Sequence, residues 1–170
     1  MTSHLNENLQ KVISDLGYKK LTPIQEKAIP ILLEGRDLVG QAKTGSGKTA
    51  AFALPVLQNL DTNRREVQAL ILCPTRELCT QVAREIRKFG RGSPGLQVLE
   101  LSGGRPVHPQ AQALRKGAAH IVVGTPGRVL DHLIRRNLDL LGTHWIILDE
   151  ADRMLEMGFE EEMEQILGAT

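Results

Sequence analysis

The sequence predicts an α/β fold, an open and mostly parallel sheet with helices on both faces. Short apolar runs alternate with longer segments of helical spacing, the rhythm of βαβ units feeding a parallel sheet. Five such runs, each closed by turn or polar residues, are candidate strands. The polar motifs follow these runs directly, and an open sheet binds ligands beyond the carboxyl ends of its strands.

The candidate strands are Asp37 to Gly40, Ala69 to Cys73, Val98 to Leu101, His120 to Val123 and Trp145 to Leu148. Between them, Lys48 to Leu60, Arg76 to Phe89 and Arg128 to Ile134 read as helices, with Leu78, Val82 and Ile86 recurring at i, i+4 and i+8. Two further helices precede the first strand. One runs from about Asn6 to Leu16 and stops at Gly17; the next carries Pro23 in its first turn and ends near Gly35. The 170 residues, 41% hydrophobic, suffice for one core, and one domain over residues 1–170 is the expectation.

Composition narrows the function classes. A net charge of +1 gives no global attraction to polyanions, so any nucleic-acid contact needs a local cluster of donors. Cys73 and Cys79 lack a C-x-x-C spacing, and Cys73 closes an apolar run, which reads as a buried reduced thiol. The first twenty residues hold no continuous apolar segment, so neither a signal peptide nor a membrane span is expected, and the cytoplasm is the expected compartment. His108, His120, His132 and His144 recur at a constant interval, but their neighbours do not repeat, and the interval is not the i, i+3 or i+4 pairing that places two ligands on one helix face.

Ala42-Lys43-Thr44-Gly45-Ser46-Gly47-Lys48-Thr49 follows the first candidate strand and leads into a helix. It is a P-loop in chemistry. Gly45 and Gly47 let successive N–H groups face one concavity, and the helix N-terminus adds its positive dipole end. Lys48 can reach the β- and γ-phosphates of a nucleotide, and the Thr49 hydroxyl can ligate Mg²⁺. The generic pattern has glycine where this chain has Ala42.

The last apolar run ends in Asp149-Glu150-Ala151-Asp152, carboxylates at a strand terminus in the Walker B manner. Asp149 would hold Mg²⁺, and Glu150 would orient and deprotonate the water that attacks the γ-phosphate. An acidic cluster by itself is more often the solvated start of a helix. Paired with a P-loop, it points to NTP hydrolysis.

The same residues resemble the DEAD-box RNA helicase family. Asp149 to Asp152 matches the motif for which the family is named, and residues 42–49 are similar to its variant Walker A, which carries alanine first. Pro74-Thr75-Arg76-Glu77-Leu78 resembles motif Ia, Gly103-Gly104 the GG doublet, and Thr125-Pro126-Gly127-Arg128 motif Ib. Residues 17–25, with Tyr18 and Gln25, resemble the adenine-selecting Q motif. The wording of Gln41 to Phe52 and Leu148 to Phe159 is similar to the bacterial DbpA-type subgroup.

The resemblance implies a RecA-like P-loop NTPase domain, the first of two in an ATP-dependent RNA helicase. It implies ATP and Mg²⁺ as cofactors, with Ala42 to Thr49, Tyr18 and Gln25 at the nucleotide, and Glu150, Lys48 and Asp149 in catalysis. Gln25 would bond the adenine edges while Tyr18 stacks on the ring. It implies RNA as partner, held by its sugar-phosphate backbone at Pro74, Thr75, Arg76, Gly103, Gly104, Thr125, Gly127 and Arg128, and Asp152 in interdomain coupling. An aromatic content of 3% agrees, because stacking on splayed bases needs aromatic side chains.

Motif III, a Ser-Ala-Thr beyond a further strand, has no counterpart before Thr170, and the terminal Ala169-Thr170 follows no apolar strand. The second RecA-like domain, with its arginine finger, is likewise not in these residues. The expectation is therefore a monomeric ATP-binding half whose parent unwinds RNA. The alternative is an ATP-gated RNA-binding module with negligible turnover of its own.

Overall fold

The computed structural model describes residues 4–117 and 119–170. The chain divides into two compact units, one of residues 1–61 with 85–94 and the other of residues 62–84 with 95–170.

The first unit is helical. Helix α1 (Glu7–Asp15) opens at Asn6, whose side chain accepts from the Leu9 N–H at 2.9 Å, a cap that satisfies one of the helix's orphan donors. It closes at Gly17, where φ of 80° lets the Tyr18 N–H return to the Ile13 carbonyl at 3.2 Å. Helix α2 (Pro23–Leu33) starts with proline in its first turn, where a missing N–H costs nothing. It packs on α3 (Lys48–Asn59). Leu9, Val12, Ile13, Ile29, Leu54 and Val56 are among the buried residues of this unit.

The expected strand at Asp37 to Gly40 does not form. Residues 36–43 adopt no regular structure, and Val39 is fully exposed. The run offers only Leu38 and Val39 as apolar residues, and among the described residues no ladder partner bonds its backbone; a strand exists through its partners rather than its propensity.

The second unit contains a four-stranded sheet: β1 (Ala69–Leu72), β2 (Val98–Leu101), β3 (Ile121–Gly124) and β4 (Trp145–Leu148), all parallel, in the order β2-β3-β1-β4. Its helices are α4 (Arg76–Phe89, whose last five residues belong to the first unit), α5 (Val107–Arg115), α6 (Pro126–Ile134), α7 (Ala151–Glu156) and α8 (Glu160–Leu167). Four of the five expected strands are therefore present, and α5, α7 and α8 are additions to the expected helices.

Register decides which helices cover which face. Leu70, paired with Val122, and Leu72, in one row with Leu101, share a face because side chains alternate along a strand. They are buried in one cluster with Val129 of α6, Met154 of α7 and Met163 and Ile166 of α8. On the opposite face Ile71 pairs with Val123 and Val123 with Glu100, and the Glu100 carboxylate accepts from the Thr80 hydroxyl of α4 at 2.9 Å. Helix α4 therefore covers that face, and the unit has helices on both sides of its sheet. Reversing direction after β2 gives the same result, since parallel crossovers are right-handed.

Candidate functional site

In the first unit, the segment 43–49 is a turn closed by the Ser46 N–H donating to the Lys43 carbonyl at 3.2 Å. Gly45 (φ 78°) and Gly47 (φ 85°) hold the left-handed conformations that turn the chain into α3, a region that disfavours a Cβ. The first-turn N–H groups of α3, from Lys48 onward, therefore open onto the loop, with the helix's positive end behind them. The Ser46 hydroxyl is buried without a protein partner among the described residues, and such a group is costly unless something else bonds it. Orphan donors, two left-handed glycines and a lysine at the helix start fit a nucleotide's phosphates.

Gln25 is 1% exposed, and both ends of its amide are engaged. Its carbonyl oxygen accepts from the Thr22 N–H at 3.0 Å, and its amino group donates to the Gly47 carbonyl at 3.0 Å. The partners' chemistry fixes this orientation of the amide. The structure thus ties the Q-motif segment to the phosphate loop, a role that sequence reasoning, which set Gln25 against adenine, did not foresee. Tyr18 stands edge-on to Phe89 at 5.7 Å, with the Lys88 ammonium 5.8 Å from its ring centroid.

In the second unit, register places Leu101, Gly124, Leu72 and Leu148 in one row across the sheet. All four strands end at one level, and the segments that follow them share one edge: Gly103-Gly104 after β2, Thr125 to Arg128 after β3, Pro74 to Arg76 after β1 and Asp149-Glu150 after β4. With strands about 4.8 Å apart, the first three lie within roughly 10 Å along that edge. The Arg76 guanidinium lies against Gly104, where an added Cβ would stand 2.6 Å from Nη1 and φ is 77°. The Thr75 hydroxyl caps α4 by accepting from the Leu78 N–H at 3.2 Å. Thr125 precedes α6 and makes no side-chain cap bond. Pro74 is buried, while Arg76 and Gly127 are exposed.

The acidic turn extends β4 by one rung, the Asp149 N–H donating to the Leu72 carbonyl at 2.9 Å. Glu150 then takes φ 54°, ψ 51°, a left-handed conformation held by a non-glycine residue. Such strain costs about 1–3 kcal/mol and clusters at functional sites. The Arg153 guanidinium lies 3.5 Å from its carboxylate, and Asp152 is exposed in the first turn of α7. Nearby, Cys73 and Cys79 are both buried and free. The Cys73 thiol is pushed well above the usual range, first by its hydrogen bond with Cys79, then by burial, with the charges of Cys79, Asp149 and Glu150 adding.

Two side chains with no role expected from sequence sit just behind this edge. Gln110, 6% exposed, accepts from Arg128 at 3.0 Å and bonds His132 Nε2 at 2.9 Å. His132 is fully buried. A signal existed: Gln110 falls within the apolar stripe of Val107, Ala111 and Leu114, where a polar residue needs a partner.

Among the described residues no helix is long and apolar enough to cross a membrane. The family model for the DEAD/DEAH box helicase matches residues 22–170. The chain is 52% identical over 163 residues to the ATP-dependent RNA helicase DeaD of Escherichia coli strain K12, covering 96% of this chain and 26% of that protein. It is also 52% identical to the DeaD of Buchnera aphidicola from Acyrthosiphon pisum, covering 96% of this chain and 27% of that protein. The chain thus spans about a quarter of the length of these relatives.

Among solved structures it is similar to a DEAD box protein from the hyperthermophile Methanococcus jannaschii, with a TM-score of 0.91 and 46% identity over 97% of this chain and 45% of that one. A hypothetical ATP-dependent RNA helicase from Sulfolobus tokodaii gives 0.87 and 43%, covering 98% and 47%. The fold is therefore the RecA-like α/β domain that the motifs imply. With the phosphate loop, the acidic turn and the matched residues agreeing, the chain belongs to the DEAD/DEAH box helicase family.

Proposed function

We propose that this chain is the ATP-binding and RNA-contacting half of an ATP-dependent RNA helicase, as its DeaD relatives are named. The observation that carries the reading is the phosphate loop, where two left-handed glycines and the orphan Ser46 hydroxyl precede the open first turn of α3. The loop of residues 42–47 would cradle the phosphates with its N–H groups, that of Ser46 leaving the Lys43 carbonyl to do so, and Lys48 would neutralise charge developing on the γ-phosphate. Glu150 would take the proton of the attacking water. The Thr49 hydroxyl and the Asp149 carboxylate would each offer a hard oxygen donor of the kind that suits Mg²⁺, which would offset the phosphate charge. Tyr18 and Gln25 would select adenine, and for Gln25 this requires its amide to leave the Gly47 carbonyl.

RNA would lie along the shared sheet edge, its backbone met by Pro74, Thr75, Arg76, Gly103, Gly104, Thr125, Gly127 and Arg128. Backbone contacts position without reading sequence. Asp152, exposed beside the catalytic turn, would couple this half to a second RecA-like domain in the parent chain. The reading calls on one copy of this chain, in a cytoplasm that keeps Cys73 and Cys79 reduced. The DbpA-type subgroup rests on wording alone, whereas the relatives described above are DeaD proteins.

ATP hydrolysis by the full-length parent, measured with and without RNA, tests the proposal. RNA should stimulate the rate, and Glu150→Gln should lower it by roughly 10²- to 10⁴-fold. A stimulated rate that survived Glu150→Gln would refute the catalytic role. Stimulation in the parent with none in the isolated chain would favour the module reading for the chain itself.

A further inference from the structure

One hydrogen-bond relay, buried at its centre, runs behind the proposed RNA edge. Gln110 lies in the first half of α5, and its single side-chain oxygen accepts from Arg128 Nη1 at 3.0 Å and from His132 Nε2 at 2.9 Å. Its amino group reaches the Ser102 carbonyl, just before the glycine doublet, at 3.4 Å. Arg128 Nη1 also donates to the carbonyl of Arg105, just after that doublet, at 2.8 Å. On the far side of the imidazole, His132 Nδ1 is 3.3 Å from Asn137 Nδ2, and the Asn137 carbonyl accepts from Arg115 at 2.8 Å.

The relay has one polarity. A carbonyl oxygen only accepts, so His132 must carry its proton on Nε2, which leaves Nδ1 to accept from Asn137. Burial keeps the imidazole neutral, and a neutral ring is what the relay requires. Gln110 therefore has its oxygen aimed at Arg128 and its amide held in one orientation. The Arg128 contacts use Nη1 alone, so Nη2 and Nε are left for a phosphate.

We infer that Gln110 is a positioning residue for RNA binding, fixing the Arg128 guanidinium and the glycine doublet as one pre-formed phosphate clamp. The inference rests on the RNA reading proposed above. Arginine carries large rotamer freedom, and holding it in its bound geometry before RNA arrives removes an ordering cost equivalent to roughly 3- to 10-fold in affinity. Gln110→Met keeps the side chain's length and removes both the acceptor for Arg128 and the donor to the Ser102 carbonyl. The loss should therefore appear in RNA affinity, chiefly through Arg128, because the 3.4 Å contact with Ser102 is the weaker of the two.

The test is a double-mutant cycle in the full-length parent, read as the affinity for a fluorescein-labelled uridine oligonucleotide in the presence of a non-hydrolysable ATP analogue. Gln110→Met should weaken binding roughly 3- to 10-fold. Added to Arg128→Ala it should cause little further loss, whereas added to Arg76→Ala its loss should multiply in full. Unchanged affinity on Gln110→Met, or a loss that multiplies equally in both backgrounds, overturns the inference while the RNA reading stands. If Arg128→Ala and Arg76→Ala each leave affinity unchanged, the RNA reading fails and takes this inference with it. A second readout needs no variant: ¹⁵N NMR of the wild-type protein should show His132 as the neutral Nε2–H tautomer, and an Nδ1–H tautomer would contradict the relay.

Discussion

Replacing Gly47 by alanine separates two costs at the phosphate loop. At φ 85° a side chain is strained by about 1–2 kcal/mol whatever surrounds it. The new Cβ would also collide with the Gln25 amino group, expelling it from the Gly47 carbonyl and leaving a buried donor unpaired for about 1–3 kcal/mol. The sum is roughly 2–5 kcal/mol, which at a urea dependence of about 2 kcal/mol/M lowers the unfolding midpoint by roughly 1–2.5 M. Gly45→Ala is the control. Its φ is 78° but nothing lies within 4 Å of the added Cβ, so only the backbone part remains, roughly 0.5–1 M. In a Gln25→Ala background, Gly47→Ala should cost no more than that control. Equal losses for the two glycines in the wild-type background would refute the tie between Gln25 and the loop.

Two further outcomes follow from the same geometry. Competition between ADP and GDP for the chain should favour ADP, and Gln25→Ala should narrow the gap; equal affinities in the wild type would remove Gln25 from adenine selection. Burial lowers the His132 imidazole pKa from its ordinary 6.5, so near and below that pH the unfolded chain binds more protons than the folded one. Stability should then be full above about pH 6.5 and fall as the pH drops through the folded value. Denaturation at a series of pH values should show that slope flattened by His132→Gln, and an identical slope in the variant would exclude His132 as its source.

Most of the sheet was legible because its strands are continuous apolar runs. Ala69 to Leu72 and Ile121 to Val123 are buried on both faces, and a strand covered by helices on both sides has no polar alternation to mislead a reader. Asp37 to Gly40 resembles a strand through Leu38 and Val39 alone, but no neighbouring strand among the described residues bonds it and Val39 is fully exposed. Helix α7 is only six residues long, too short for periodicity to declare itself. In α5, Pro109 stands in the first turn, where the structure tolerates it but a reader takes it for a breaker.

At the site, the residues assigned to phosphate binding were readable because P-loop chemistry is local in sequence. The supporting contacts were not. Gln25 meets Gly47 across 22 positions, Gln110 meets His132 across another 22, and Arg76 meets Gly104 only once β1 and β2 lie in one sheet. Glu150 carries no sequence mark of its left-handed backbone, which follows from joining the end of β4 to α7.

Phosphate binding by the loop at residues 42–49 is tested most directly by calorimetric titration of ADP into the chain and its Lys48→Ala variant. A charge-assisted bond to phosphate contributes about 1.5–3 kcal/mol, so the variant should bind roughly 10- to 100-fold more weakly. Equal affinity in the two proteins would contradict the account.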